Sequence, residues 1–186
     1  MIWWIRLRSQ HVIAIAVAAA LATCGASAGA AHAGARIRSA GTVTRCPGSV
    51  AGCQRALLAL LNQDRARYHV GPLLLDEVQS DGTRRCIGAL GHSRHMAAQG
   101  QISHDDFPSD ICGPHQLAGE NVGVAQGWSE FFSLHRLDRM MMAEGSPRPG
   151  CTGTHACNII NPGFRTVGIG IVKIGSAFWL TEDFKG

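Results

Sequence analysis

From residue 53 onward the chain alternates between stretches of helical and of strand-like periodicity. Leu57, Leu58, Leu61 and Tyr68 recur at helical spacing over residues 53–69, and Gly71-Pro72 ends that element. Asp81-Gly82-Thr83 opens a second predicted helix, which lines Cys86, Ala89, Leu90, Ser93, Met96 and Ala97 along one face as far as about Gly100. Residues 105–118 contain Pro108, Gly113 and Pro114 and read as a loop, followed by a short strand-like run over 119–124. A third helix is predicted over 129–144, with Phe132, Leu134, Leu137, Met141 and Met142 available for burial, and Gly145-Ser146-Pro147-Arg148-Pro149-Gly150 breaks it. Two β-rich runs close the chain, 166–174 and 176–184, with Gly175-Ser176 between them as a hairpin turn. Helices with an antiparallel sheet built from dispersed strands imply an α+β layered domain.

The first segment has a different character. Arg6 and Arg8 precede an apolar run from Val12 to Ala22, and small residues end in Ala31-His32-Ala33. That is the layout of a secretory signal peptide over residues 1–33, cleaved near Ala33. The run is about eleven residues, well short of the roughly 20 that span a bilayer as a helix, so no transmembrane anchor is expected in the mature chain. Leu21-Ala22-Thr23-Cys24 is a loose match to a lipoprotein box, with Thr23 a poor fit, and makes lipidation at Cys24 the lesser alternative. Residues 34–52, rich in Gly, Ser, Ala and Arg, read as a flexible lead-in, and residues 53–186 as the folded domain. A secreted location, extracellular or periplasmic, follows from this reading.

Cysteine usage agrees with export. Of the seven cysteines, six remain once Cys24 leaves with the leader: Cys46, Cys53, Cys86, Cys112, Cys151 and Cys157. An even number in an exported chain points to three disulfides. Short loops favour Cys46 with Cys53 and Cys151 with Cys157, leaving Cys86 with Cys112, although sequence alone does not choose among the pairings. Charge adds little. Lys and Arg number 17 and Asp and Glu 13, so removal of Arg6 and Arg8 leaves 15 − 13 = +2 with neutral His. The basic residues are scattered and not interleaved with aromatics, which disfavours nucleic acid as a partner.

Four ionisable residues carry the candidate chemistry: His104 after Ile102-Ser103, Glu120 in Gly119-Glu120-Asn121-Val122-Gly123, Glu144 after Met140-Met141-Met142-Ala143, and His155 in His155-Ala156-Cys157-Asn158-Ile159-Ile160. Two imidazoles and two carboxylates suit a divalent cation site or an acid/base site. His-Glu-x-x-His, a P-loop and a dinucleotide fingerprint are all absent.

Those surrounds, in this order, resemble the CAP superfamily, also called the SCP or pathogenesis-related 1 family, and most closely its small secreted bacterial branch. The stretch from His92-Ser93-Arg94-His95-Met96 to His104, the Gly-Glu-Asn triplet, and Asn158-Ile159 after the last histidine carry the resemblance. Leu61-Asn62-Gln63-Asp64-Arg65 with Gly71-Pro72-Leu73, Val167-Gly168-Ile169-Gly170-Ile171, and Phe178-Trp179-Leu180-Thr181-Glu182-Asp183-Phe184 extend it over about residues 53–184. The resemblance implies a three-layer α-β-α sandwich with a central antiparallel sheet. It also implies a His-Glu-Glu-His cleft in which His104 and His155 are the metal ligands, zinc foremost, with Glu120 and Glu144 as catalytic candidates or as carboxylates that orient the imidazoles. Lipid or sterol binding is known in the family and is carried over as an implied activity, as is a lipid, sterol or other small ligand in the cleft.

Three functional classes follow: a ligand- or lipid-binding extracellular module, a metal-assisted hydrolase acting on peptides, and a cell-envelope interaction protein in which the tetrad is purely structural. Several neighbours compete for roles. His92 and His95, three apart on a helix, read as one packed ring and one solvated edge. Asp105 and Asp106 read as a solvated loop that can raise the basicity of His104. Glu130, in Trp128-Ser129-Glu130, imitates the family's Trp-x-x-Glu at the wrong spacing, which Glu144 keeps with methionine in place of tryptophan. Most of Met140, Met141, Met142, Phe131 and Phe132 is assigned to core packing, because consecutive helical residues point in different directions.

Overall fold

The structure, a computed structural model, describes residues 49–126 and 129–186. The leader with its cleavage near Ala33, the Cys24 alternative and the lead-in as far as residue 48 lie outside the described residues.

Helix α1 (Val50–Arg67) begins upstream of Cys53 because Ser49 caps it, its hydroxyl accepting from the Gly52 amide at 3.1 Å. Leu57 and Leu61 are fully buried on its inner face, and each contributes about 1.5–3 kcal/mol by leaving water. Strand β1 (Leu74–Leu75) and helix α2 (Glu77–Asp81), capped by Asp76, follow. Neither was anticipated, since elements of this length show no period. Helix α3 (Gly88–Gln99) starts later than Asp81-Gly82-Thr83. Gly82 and Gly88, at φ +78° and +62°, fold the intervening residues into a turn that the helical pattern concealed. Then come β2 (Ala118–Gln126), α4 (Glu130–Met142), α5 (His155–Ile159), β3 (Thr166–Ile174) and β4 (Ala177–Lys185).

The sheet runs β1-β3-β4-β2. Its β2–β4 and β3–β4 pairs are antiparallel, as expected, whereas β1 joins the edge of β3 in parallel. Alternation along the strands then separates two faces. Val167, Ile169 and Ile171 with Leu180 and Phe184 share one core with Leu57 and Leu61 of α1 and Leu134, Leu137 and Met141 of α4. Toward the opposite face, Gly168 and Gly170 let α2 and α3 approach the backbone, and Met96, Val122 and Trp179 form a smaller core. Helices cover both faces, so the architecture is the expected three-layer α-β-α sandwich. Phe132 departs from expectation: it is 47% exposed, off the face that Leu134, Leu137 and Met141 bury.

Cys86 is bonded to Cys112 and Cys151 to Cys157. Cys53 is disulfide-bonded too, its expected partner Cys46 lying outside the described residues. Among the described residues no helix is long and apolar enough to cross a membrane.

One buried charge sets a pH prediction. Asp138 on α4 is 3% exposed and its Oδ1 has no hydrogen-bond partner among the described residues. Burial foremost, then the neighbouring Asp64 and Glu182, push its carboxyl up to about 8. The folded state therefore keeps a proton that the unfolded chain releases near its ordinary value of 3.8, and stability is lost as pH rises from there through about 8. Asp138→Asn, which is neutral at every pH, is expected to raise the unfolding free energy at pH 8 by roughly 1–3 kcal/mol and to change it little at pH 5. Urea titrations at the two pH values check this; an equal effect at both contradicts it.

Candidate functional site

The cleft is assembled from the ends of elements. Thr154 caps α5, its Oγ1 accepting from the Cys157 amide at 3.2 Å, and so places His155 at the first helical position. The Cys151–Cys157 bridge closes the turn around it. One helical turn on, the Asn158 side-chain amide donates to the Glu120 carbonyl and to Asn121 Oδ1, each at 3.0 Å. Asn121 in turn donates to the buried Glu182 carboxyl at 3.0 Å and to the His155 carbonyl at 3.3 Å. The Gly-Glu-Asn and Asn-Ile motifs are therefore two halves of one lock between β2 and α5. Gly119 belongs to it because a Cβ there would lie 2.8 Å from the Phe164 ring.

On the other side, Gly100 in the left-handed region ends α3 and turns the chain toward His104. His104 Nδ1 lies 2.6 Å from Glu120 Oε1, and His155 Nδ1 lies 2.7 Å from Glu144 Oε1. Glu144 Oε2 also accepts from the His155 amide at 3.2 Å. All four side chains, with Thr154 and Asn158, line one cavity of about 250 Å³. Glu130 lies apart from them, 3.6 Å from Lys173.

The two pairs differ in environment. The Glu120 side chain is 1% exposed and that of His104 55%, so this pair runs from the interior to the surface. Burial foremost, then the Asp110 side chain, push the Glu120 carboxyl up to about 8, against the pull of His92. His104 is lowered, chiefly by burial, although Asp110 and Asp105 act to raise it. Without a cation the pair thus favours a neutral carboxyl beside a neutral imidazole. A cation on His104 Nε2 requires the other arrangement, with Nδ1–H donating to an ionised Glu120, and so releases a proton.

Behind Glu120 lies a second group that sequence reasoning did not assemble. His92 is fully buried and His95 has its side chain 46% exposed, the packed ring and solvated edge expected of them. His92 Nε2 donates to the Ser103 carbonyl at 2.9 Å, tying α3 to the residue before His104, and its Nδ1 faces Asp106 Oδ2 at 3.1 Å. Asp106 also meets His95 Nδ1, at 2.6 Å, so it serves that pair and does not bond to His104. Fully buried Asp110 completes the group, with Oδ2 3.8 Å from His92 Nδ1, while Glu120 Oε2 is 3.6 Å from His92 Nε2. His92, Asp110 and Glu120 each offer a ligand atom, all within 4.8 Å of one another, and can hold a metal ion. The one available signal was that His92 shares the buried face of α3 with Ala89, Ser93 and Met96. Asp110 sits in a loop with no period to mark it.

No protein-family model matches the chain. It is 28% identical over 147 residues to the uncharacterized protein YkwD of Bacillus subtilis (strain 168), covering 78% of this chain and 51% of that one. The chain thus spans about half the length of the curated relative it matches. Among solved structures, venom allergen-like protein 4 of Schistosoma mansoni superposes with a TM-score of 0.53 at 13% identity, over 72% of this chain and 87% of that one. Na-ASP-1 superposes at 0.51 with 12% identity, over 77% and 41% of the two chains. An extracellular SCP-domain protein from Bacillus anthracis str. Ames is 24% identical at a TM-score of 0.48, over 73% and 40%. The structures that superpose above 0.5 are CAP-domain proteins sharing the mixed helix and sheet architecture found here. The chain thus shares the α+β fold of the CAP-domain proteins it superposes on.

Proposed function

We propose that this chain is an extracellular binding module whose cleft holds a divalent cation, zinc foremost, through Nε2 of His104 and of His155. The observation that carries this reading is that each imidazole gives its Nδ1 to a different glutamate, at 2.6 and 2.7 Å. A carboxylate on Nδ1 fixes the ring, raises its basicity and leaves Nε2 as the nitrogen for a metal. Zinc bound there would offer an open position to a polar ligand. The disulfides support an oxidising compartment, hence export. A lining of His104, Glu120, Glu144, Gly153, Thr154, His155 and Asn158 suits a small polar ligand better than an acyl chain or a sterol, which need apolar walls.

A hydrolase would need a carboxylate beside the bound water. Both glutamates are engaged with imidazoles, and Glu120 is buried, so binding is the role the geometry favours. Calorimetric titration with zinc is expected to give one cleft site that His155→Ala weakens about 100-fold or more, and Glu144→Gln about 10–100-fold through loss of the orienting carboxylate. Equal zinc binding by wild type and His155→Ala would sink the proposal.

A further inference from the structure

Four buried oxygens in and beside the His92 group, Asp110 Oδ1 and Oδ2, Glu120 Oε2 and Asp183 Oδ1, have no hydrogen-bond partner among the described residues. They come from a loop, from β2 and from β4, and the β2–β4 register puts Glu120 directly opposite Asp183. His92 meets only part of this need: its Nε2 donates to the Ser103 carbonyl, and its single Nδ1 faces the carboxylates of both Asp106 and Asp110. Carboxyl oxygens that face one another in a dry interior need a shared proton or a cation between them, and a cation can serve all three elements at once. The geometry points to a second divalent cation, held by His92, Asp110 and Glu120 in the layer between α3 and the sheet, behind the cleft and separate from the His104 and His155 nitrogens.

Three observations carry this. The three ligand atoms already lie within 4.8 Å of one another, a spacing that a single ion with bonds of about 2.0–2.2 Å can bridge after small adjustment. Asp110 is fully buried yet neither of its oxygens has a hydrogen-bond partner among the described residues. The second-layer contact that ligating histidines usually make is present, as the bond from Nε2 to Ser103. One imidazole and two carboxylates are a mixed donor set, which suits a first-row ion such as Mn(II) over Ca(II), whose sites are made of oxygens alone. Glu120 would then be shared, Oε1 turned to His104 in the cleft and Oε2 to the buried ion.

The test uses the full chain carrying His104→Ala and His155→Ala, so that the cleft has lost both of its imidazoles. Electron paramagnetic resonance and equilibrium dialysis are expected to show one Mn(II) per chain, with affinity falling at least tenfold on adding Asp110→Asn or, separately, His92→Gln, while circular dichroism confirms folding. No Mn(II) binding in the double variant overturns the inference, and so does binding that both added substitutions leave intact. If the cleft proposal is wrong and this one right, the wild type binds a single Mn(II) that Asp110→Asn removes and His155→Ala does not.

Discussion

Replacing Arg65 by alanine is expected to lower the unfolding free energy by about 3–5 kcal/mol, a large part of the roughly 5–15 kcal/mol available to a domain of this kind. Arg65 is 1% exposed inside α1. Its Nε donates to the Gly71 carbonyl at 2.6 Å, Nη1 to the carbonyls of Ile159 and Asn161 at 2.8 and 2.9 Å, and Nη2 to that of Phe164 at 3.1 Å. One planar fork therefore satisfies four carbonyls from the turn before β1 and from the chain leaving α5. Burial foremost, with help from Arg165, lowers its pKa to about 10, still high enough to keep the charge at neutral pH. Alanine would orphan all four acceptors and leave a cavity. Lysine would recover only part of the loss, because one ammonium cannot meet donors' work spread over a planar fork. Since Ile159 ends the helix that begins at His155, the cleft should loosen with it. Urea unfolding checks the magnitude, and a loss under about 1 kcal/mol contradicts this account of Arg65.

The second large effect concerns a single methyl group. A Cβ on Gly170 would sit 2.1 Å from the carbonyl carbon and oxygen of Ala89 and 2.4 Å from the Leu90 amide nitrogen. These are backbone atoms of α3, so no side chain can swing aside; the helix itself must move. That movement would break the bond from Ser93 Oγ to the Gly170 carbonyl, now 3.0 Å, and shift His92 relative to Asp110 and Glu120. Gly170→Ala is expected to cost about 3 kcal/mol, at the upper end of overpacking effects. Gly71→Ala, where a Cβ meets nothing within 4 Å, is the matched control and is expected to change stability by less than about 1 kcal/mol. Thermal unfolding of the two variants gives the comparison. Similar midpoints would mean that α3 does not need the glycine to approach the sheet.

That glycine also shows how the sequence could be read. The alternation of Val167, Ile169 and Ile171 with Gly168 and Gly170 placed β3 at its observed bounds, because one face of the strand is apolar and the other is bare backbone. Long periodic helices were equally legible. What escaped was decided by contacts distant in sequence: β1 exists through two residues paired to β3, α2 and α5 are single capped turns, and α3 is shortened by two glycines at positive φ. Helical spacing predicts burial for Phe132, but the sheet receives only the side of α4 that carries Leu134, Leu137 and Met141.

The cleft follows the same division. His104, Glu120, Glu144 and His155 stood out because each carries a local surround, and those surrounds have structural causes: Thr154 caps α5, Gly100 stops α3, and Asn158 reaches back to Glu120 and Asn121. Which imidazole meets which carboxylate was not legible, as it depends on how the loop before β2 and the turn before α5 meet. The His92 group was hidden more deeply. Glu120 reaches it by strand register, His92 by the inner face of α3, and Asp110 by a loop fastened through the Cys86–Cys112 bridge.

In the proposed cleft, Nε2 of His104 and of His155 together hold a divalent cation. A crystal structure of the zinc-loaded protein, with anomalous difference density measured on both sides of the zinc edge, tests this most directly. The expected result is a zinc peak in the 250 Å³ cleft, bonded to both Nε2 atoms at about 2.0–2.1 Å, with Nδ1 of each ring still on its glutamate. Zinc density elsewhere, or a cleft whose two imidazoles share no ion at saturating zinc, would contradict it.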